Sequence, residues 1–168
     1  MIELENLARR FKDVSKDYFE SLQSISAAEN VVNGTYVKQA EEKLKALAKR
    51  KYAALVRTGS NAISIALQSH LPKGAEVIIP NYSCPATLSS VVVAGFLPRF
   101  VEINEYGSID ASQIEKNLTE NTKAILATGL YGDVHDHDRI KEICDCNNLV
   151  YVNDAAQSQF ALYKGKNS

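Results

Sequence analysis

Hydrophobic and polar positions follow two different spacings along this chain. In roughly the first fifty residues, apolar side chains recur every three or four positions, a spacing typical of amphipathic helices. The stripe positions are Leu4, Leu7, Phe11, Val14, Tyr18 and Leu22 in the first helix, and Val37, Ala40, Leu44 and Leu47 in the second. A polar stretch over 28–35, with the turn-forming pair Asn33-Gly34, separates the two stripes. We therefore predict an N-terminal helical arm and linker over 1–35, followed by one domain over 36–168.

From residue 52 onward, short apolar runs alternate with helical patterns. The predicted strands are YAALV (52–56), EVIIP (76–80), PRFVEI (98–103), KAILAT (123–128) and LVYVN (149–153). The predicted helices between them cover 61–71, 85–94 and 137–146, and a further one is opened by Asp110 in a capping-box pattern with Gln113. This alternation predicts an α/β domain with a mainly parallel sheet and helices on both faces. The unbroken hydrophobicity of EVIIP and KAILAT indicates strands that are buried on both faces.

Composition narrows the classes of function. The 168 residues include 19 Lys and Arg against 20 Asp and Glu, so the formal net charge is −1, which argues against binding to nucleic acid. The N-terminus lacks the pattern of an export signal, and the longest apolar run, 91–97, is far shorter than the about 20 residues that cross a bilayer. We expect a cytoplasmic protein without membrane contact. Its three cysteines, Cys84, Cys144 and Cys146, are expected to be reduced thiols.

Ligands of parallel sheets usually bind beyond the carboxyl ends of the strands, so the loops there are candidate sites. The first is Thr58-Gly59-Ser60-Asn61-Ala62, between a predicted strand and a helix. Glycine allows a tight turn, and the N–H groups at the start of the helix, with the Ser60 hydroxyl, can bind an anion such as phosphate. Read alone, the segment also fits an ordinary helix cap.

The second candidate loop is Asn153-Asp154-Ala155-Ala156-Gln157, at the end of a strongly apolar strand. A carboxylate at this edge can keep a ring nitrogen protonated, which an electron-sink cofactor requires of its protein. Gln157 would be near enough to donate to a ring oxygen. The alternative interpretation, that Asp154 caps a following turn, is equally compatible with the segment.

The third candidate loop covers 80–87, where a predicted strand ends and the next helix begins. As part of a cofactor site it would cover one face of the ring. Alternatively, Ser83 or Cys84 caps the helix and Pro85 takes its first position, which requires no ligand.

In this order, the three loops and the elements between them resemble the DegT-type sugar aminotransferases, which use pyridoxal 5'-phosphate. The resemblance covers nearly the whole chain from about Asn33. The segments that carry it are NGTYVKQAEEKL, TGSNAISIAL, GAEVIIPNYSCPAT, AGFLPRFVEI, GSIDASQIEKNLTENTKAIL, LYGDVHDHDRI and VYVNDAAQSQFALYKGK. The resemblance implies the large domain of the aspartate-aminotransferase-like fold, incomplete at its C-terminus.

The resemblance also implies a role for six residues. Gly59, Ser60 and Asn61 would hold the cofactor phosphate, largely through backbone N–H groups. Asp154 would pair with the pyridine nitrogen, and Gln157 would lie by the phenolic oxygen. Cys84 stands where members of the family usually place an aromatic ring that stacks on the cofactor. Because a thiol offers much less contact area, we expect weaker stacking at this position.

By the same resemblance, the lysine that forms the Schiff base lies beyond the end of this chain. No catalytic residue is then expected within it, and the chain alone should be inactive. Lys164 and Lys166 would belong to a hairpin that precedes that lysine, as solvated turn residues.

A metal site is not expected. His135, His137, Cys144 and Cys146 are of types that bind zinc. However, Cys144 and Cys146 are two positions apart on a predicted helix and point to different sides.

The function that the resemblance implies is transfer of an amino group, with glutamate as donor, to a nucleotide-linked keto-sugar, in a homodimer. Such enzymes serve the biosynthesis of polysaccharide or antibiotic sugars. Two alternatives stay open. The first is a non-catalytic binding or assembly protein with the same fold. The second is a related sugar dehydratase that uses pyridoxamine phosphate with a histidine in place of the lysine.

Overall fold

The computed structural model describes residues 7–27 and 34–167. Leu4 and most of the predicted linker over 28–35 therefore lie outside the described residues, and the boundary between arm and domain stays a prediction. The helices are α1 (Leu7–Ser26), α2 (Thr35–Ala48), α3 (Gly59–Gln68), α4 (Pro85–Val93), α5 (Ala111–Ile114, continued by a 3-10 turn over Glu115–Asn117) and α6 (His137–Asn147). The strands are β1 (Glu76–Pro80), β2 (Leu97–Val101), β3 (Thr122–Thr128), β4 (Val150–Asp154), β5 (Leu162–Tyr163) and β6 (Lys166–Asn167).

Four of these strands form one parallel sheet in the order β2-β1-β3-β4, and β5 and β6 form a separate antiparallel hairpin. The predicted parallel sheet is therefore confirmed. The two central strands, β1 and β3, are buried along almost their whole length, as their unbroken hydrophobicity indicated. Alternate residues of these strands consequently face two different apolar clusters.

Each face of the sheet is covered by helices. On one face, Ile63 and Leu67 of α3 and Val91 of α4 pack against the sheet. On the other face, Ile114 of α5 and Ile140 of α6 do so, together with other buried side chains of α6. The prediction of helices on both faces is thus confirmed.

Side-chain caps define where several helices begin. Asp110 accepts a hydrogen bond from the N–H of Ser112 at 2.9 Å. Hydrogen bonding to Ser112, through its side chain first and its N–H group second, lowers the pKa of the Asp110 carboxyl group. The cap is therefore present, although Asp110 receives its side-chain bond from Ser112 and not from the N–H of Gln113. Asp136 caps α6 through the N–H of Arg139, and Pro85 takes a first-turn position of α4.

The predicted strand YAALV is wrong. Residues 52–56 are exposed and pair with no strand among the described residues. Instead, the N–H of Leu55 donates to Oε1 of Glu41 on α2, at 2.9 Å. An apolar run shows that a segment favours a sheet, but the ladder of hydrogen bonds that defines a strand requires a partner with a free edge.

The amphipathic stripe of α1 is real, but it stays largely exposed within the described residues. Phe11, Tyr18 and Phe19 are each more than half exposed and contact one another edge to face, with ring centroids 5.7 to 6.4 Å apart. Among the helices of the described residues, none is both long and apolar enough to cross a membrane.

The central strand β3 offers a direct test of this architecture. Replacing the fully buried Leu126 with Ala should lower the free energy of unfolding by about 2–5 kcal/mol, because the cavity that remains cannot close completely. The midpoint of urea denaturation measures this loss. The matched control is Val93→Ala, since Val93 is 81% exposed. Equal midpoints for the two variants would contradict the assigned core.

Candidate functional site

A cavity of about 260 Å³ opens at the carboxyl edge of the sheet, where the loops after β1, β3 and β4 meet the start of α3. Five of the six predicted site residues line it. They are Gly59, Ser60, Cys84, Asp154 and Gln157. The remaining lining residues are Ile63, Ala86, Thr87, Thr128, Leu130 and Ala156. Segments almost a hundred positions apart in sequence thus meet around one opening, as the rule on carboxyl edges predicted.

One end of the cavity is formed by the start of α3. The helix begins at Gly59, two residues earlier than predicted, because the Thr58 hydroxyl accepts a hydrogen bond from the N–H of Asn61 at 3.1 Å. The N–H groups of Gly59 and Ser60 have no acceptor among the described residues. Unpaired N–H groups at the positive end of a helix favour an anion. This end of the cavity is therefore suited to a phosphate.

Asn61 is the one predicted site residue outside this lining. Its N–H group is taken by Thr58, and its Oδ1 accepts a second hydrogen bond, from the Thr58 hydroxyl, at 2.7 Å. The Asn61 side chain lines a neighbouring depression with Ser64 and Gln68. Asn61 therefore stabilises the turn that shapes the anion-binding end.

Asp154 also lines the cavity, as the last residue of β4 and beside Thr128 of β3. Its Oδ1 accepts from the N–H of Ala156 at 3.1 Å, so the interpretation as a turn cap is correct. Its other carboxylate oxygen has no partner among the described residues. The same side chain can therefore stabilise the turn and still offer an oxygen to a protonated nitrogen in the cavity.

Gln157 is oriented by a backbone group from another loop. The N–H of Tyr131 donates to Oε1 of Gln157 at 3.0 Å, so the amide must turn its Nε2 group the other way. That group has no acceptor among the described residues and is a donor for an oxygen in the cavity. Tyr131 takes up a left-handed backbone conformation with φ of 56°. Its hydroxyl lies 2.9 Å from that of Tyr82, and this hydrogen bond raises the pKa of Tyr131.

The part of the cavity wall around Cys84 is polar and contains no aromatic side chain among the described residues. Cys84 precedes α4 and makes no capping hydrogen bond with its side chain. The hydroxyl groups of Ser83 and Thr87 lie 2.8 Å apart, and the Ser83 hydroxyl reaches Thr128 at 3.4 Å. Thr87 and Thr128 are buried beside the cavity. The chain therefore provides hydroxyl groups and a thiol here, and the apolar contact comes from Ile63 and Leu130.

Within residues 7–27 and 34–167, no lysine lines the cavity. Lys164 lies in the turn of the β5–β6 hairpin, where it forms an ion pair with Asp138, and Lys166 lies in β6. Both line a different depression, with Arg50 and Lys141. The prediction that these two lysines belong to a hairpin is confirmed.

The sequence interpretation missed two structural contributions to this site. Thr128 could have been found, because it is the last residue of a predicted strand and strand ends line such sites. The Tyr131-Gly132 pair follows a predicted strand on the ligand side, and the resemblance implies a position near the site. The hydrogen bond from the Tyr131 N–H group itself had no signal in the sequence, since it depends on a left-handed backbone conformation of a residue other than glycine.

Comparison with known proteins gives an independent result. A family model described as the DegT/DnrJ/EryC1/StrS aminotransferase family matches residues 12–168. A curated protein of Geobacillus stearothermophilus, named pleiotropic regulatory protein, is 34% identical over 163 residues, which is 96% of this chain and 44% of that protein. A UDP-2-acetamido-2-deoxy-3-oxo-D-glucuronate aminotransferase of Pseudomonas aeruginosa is 31% identical and covers 99% of this chain and 46% of its own length.

Among solved structures, DesV of S. venezuelae superimposes with a TM-score of 0.92 at 27% identity. The match covers 97% of this chain and 44% of DesV. The chain thus spans less than half the length of each of these three proteins. The aspartate-aminotransferase-like fold predicted from the resemblance is confirmed for the part that the chain spans.

The loop after β3 depends on a glycine that carries no side chain. A Cβ atom on Gly129 would lie 2.3 Å from Oγ of Ser158 and 2.9 Å from the carbonyl oxygen of Asp133. Gly129→Ala should therefore lower the free energy of unfolding by about 1–3 kcal/mol, measured by urea denaturation. Gly59→Ala is the control, because a Cβ there meets no atom within 4 Å. If both variants are as stable as the parent, the close approach of the two loops is wrong.

Proposed function

This chain belongs to the DegT/DnrJ/EryC1/StrS aminotransferase family, and on that premise we propose that it forms the pyridoxal-phosphate-binding part of an aminotransferase acting on a nucleotide-linked keto-sugar. The observation that carries the proposal is one cavity lined both by the start of α3, whose first N–H groups have no acceptor among the described residues, and by the carboxylate of Asp154. Pyridoxal phosphate carries an anionic phosphate group and a basic ring nitrogen, which these two features complement.

Each residue of the cavity has a distinct task in this proposal. Gly59 and Ser60 bind the phosphate through their N–H groups, and Asp154 keeps a proton on the ring nitrogen. Gln157 donates from Nε2 to the ring oxygen, in the orientation that Tyr131 imposes. When bound, the cofactor supplies an electron sink for the reacting carbon of the amino donor or acceptor. Glutamate as donor, a homodimer and a cytoplasmic location belong to the same proposal and rest on the resemblance.

A second candidate is a protein with this fold that binds without catalysing a reaction. Two observations favour it: no lysine of the described residues lines the cavity, and the Geobacillus relative is named a regulatory protein. Both candidates predict cofactor binding by the chain. The two candidates predict different results for catalysis. Only the aminotransferase proposal predicts that the whole protein transfers an amino group from glutamate.

Asp154→Asn tests the nitrogen-binding end of the cavity. Asparagine keeps an oxygen for the N–H of Ala156 but loses the negative charge, so the affinity for pyridoxal phosphate should fall roughly tenfold. Equilibrium dialysis with the free cofactor measures the dissociation constant. The control is Asp145→Asn, which removes an exposed carboxylate on α6 that faces Lys141. If Asp154→Asn and the control bind the cofactor equally well, Asp154 does not contact the ring.

A second test concerns the lysines. Borohydride reduction of the chain with pyridoxal phosphate, followed by peptide mass spectrometry, should find no lysine labelled in preference to the others, because none lines the cavity. Stoichiometric labelling of Lys164 or Lys166 would show instead that the hairpin supplies the amine. The exposed Lys73 serves as the reference for non-specific labelling.

A further inference from the structure

The hydroxyl group of a half-buried tyrosine lies between two imidazole rings, on the face of the sheet that α5 and α6 cover. Oη of Tyr151, in β4, is 2.7 Å from Nε2 of His135 and 2.6 Å from Nδ1 of His137. His135 is 2% exposed and belongs to the loop between β3 and α6, and His137 is the first residue of α6. The hydroxyl therefore connects three segments of the chain: the loop, the start of a helix and a strand.

The hydrogen bonds in this cluster have a preferred direction. A hydroxyl group has one proton, so Tyr151 can donate to only one imidazole and must accept from the other. Nδ1 of His135 is buried and has no partner among the described residues. An unpaired buried acceptor is tolerated better than an unpaired buried N–H group. His135 therefore donates from Nε2 to Tyr151, and Tyr151 donates to Nδ1 of His137.

Protonation of either ring breaks this arrangement. A proton on His135 creates a buried Nδ1–H group without an acceptor among the described residues, and a proton on Nδ1 of His137 removes the acceptor to which the Tyr151 hydroxyl donates. Consistently, burial lowers the pKa of His135 to about 4, with the neighbouring His137 as the second cause. Burial also lowers the pKa of His137, and it raises that of Tyr151.

The charges around the cluster come from several elements. Asp133 of the loop and Asp136 at the start of α6 favour the protonated form of His135, but their effect is smaller than that of burial. The other titratable or charged groups that face the cluster are Asp138 and Cys144 of α6, Arg50 after α2, Tyr163 of β5, and Lys141, Lys164 and Lys166, which share a depression with His137 and Tyr151.

The same loop forms part of the candidate cofactor site. At its start, the N–H of Gly129 donates to the carbonyl oxygen of Asp154 at 3.0 Å, and Leu130 lines the cavity. One residue later, the N–H of Tyr131 holds Gln157. At the far end of the loop, His135 is attached to Tyr151, three residues before Asp154 in the same strand. Hydrogen bonds at both ends of the loop over 129–136 therefore hold it to β4 and to the residues that follow β4.

We propose that Tyr151, held between His135 and His137, is a positioning residue that keeps this loop against β4 and so keeps Leu130 and Gln157 in the cavity wall. Protonation of the imidazoles at mildly acidic pH releases the loop. The positioning of the loop does not depend on what the cavity binds. The consequence for cofactor affinity rests on the proposed function.

The sign and size of the pH effect follow from the two states of His135. With the loop open, the ring is solvated and has an ordinary pKa near 6.5, whereas with the loop closed its pKa is about 4. The open state binds more protons between these values, so the closed state is fully stabilised above about pH 6.5 and loses stability as the pH falls toward about 4. The equilibrium for opening should rise about 30-fold between about pH 7.5 and about pH 5.

Amide hydrogen exchange of the full chain, measured by NMR without cofactor, tests the proposal. The protection factor of the Tyr131 N–H group should fall about 30-fold between the two pH values, and that of Leu126 in the core of β3 should not. His135→Gln should make this fall much smaller, because a glutamine amide does not titrate and only His137 is left to respond to pH. His70→Gln is the matched control, since His70 is exposed at the end of α3 and should leave the fall unchanged.

Tyr151→Phe gives a second measurement that does not depend on whether the His135 variant folds. The ring is kept and the hydroxyl is lost, so protection of the Tyr131 N–H group should drop about tenfold already at about pH 7.5. Unchanged protection in Tyr151→Phe, or an equal fall at Tyr131 and Leu126 in the parent, overturns the proposal. With pyridoxal phosphate added, the affinity of the parent divided by that of His135→Gln should decrease as the pH is lowered. If neither protein binds the cofactor, the proposed function fails, while the exchange results still decide the role of Tyr151.

Discussion

The burial of β1 and β3 on both faces is the constraint on which the candidate site depends. Because these strands are parallel and central, their carboxyl ends lie at one edge, and the loops that follow them start side by side. The helices on either face hold the strands in register through two separate apolar clusters. A site built from residues at positions 59, 84, 130 and 154 is possible only because this framework brings four distant segments to the same edge.

The polar groups of the cavity are arranged by local hydrogen bonds that leave one partner free. Thr58 takes the N–H of Asn61 but leaves those of Gly59 and Ser60, and Ala156 occupies one oxygen of Asp154 but not the other. In each case the turn pairs some of its polar groups internally, and the polar groups that it leaves unpaired are available to a ligand. An ordinary helix cap and an anion-binding site are therefore two aspects of one structure at the start of α3.

Features of the fold and site that depend on neighbouring residues could be predicted from the sequence, whereas features that depend on residues far apart in the chain could not. Strands that are buried on both faces and helices with caps of their own, such as the one that Asp110 opens, have local signals. Residues 52–56 have the same apolar signal, but a strand needs a neighbour, and the pattern carries no information about one. The same limit applies within the site: the residue types at Asp154 and Gln157 suggested their chemistry, whereas the orientation of Gln157 comes from a backbone group 26 positions away.

If the cavity binds pyridoxal phosphate as proposed, Cys84 supplies less contact with its ring than an aromatic side chain would. A stacked ring adds about 0.5–1.5 kcal/mol beyond the area it buries, and a thiol cannot supply this. The walls that remain are the side chains of Ile63 and Leu130 and the hydroxyl groups of Thr87 and Thr128. Leu130 belongs to the loop that His135 attaches to Tyr151. Under the proposed function, a displacement of this loop would remove one of the apolar contacts in the cavity. Because Cys84 offers no aromatic surface to compensate for that loss, the proposed cofactor site depends on the position of the β3–α6 loop, which we propose that the Tyr151 hydroxyl holds through its two imidazole partners.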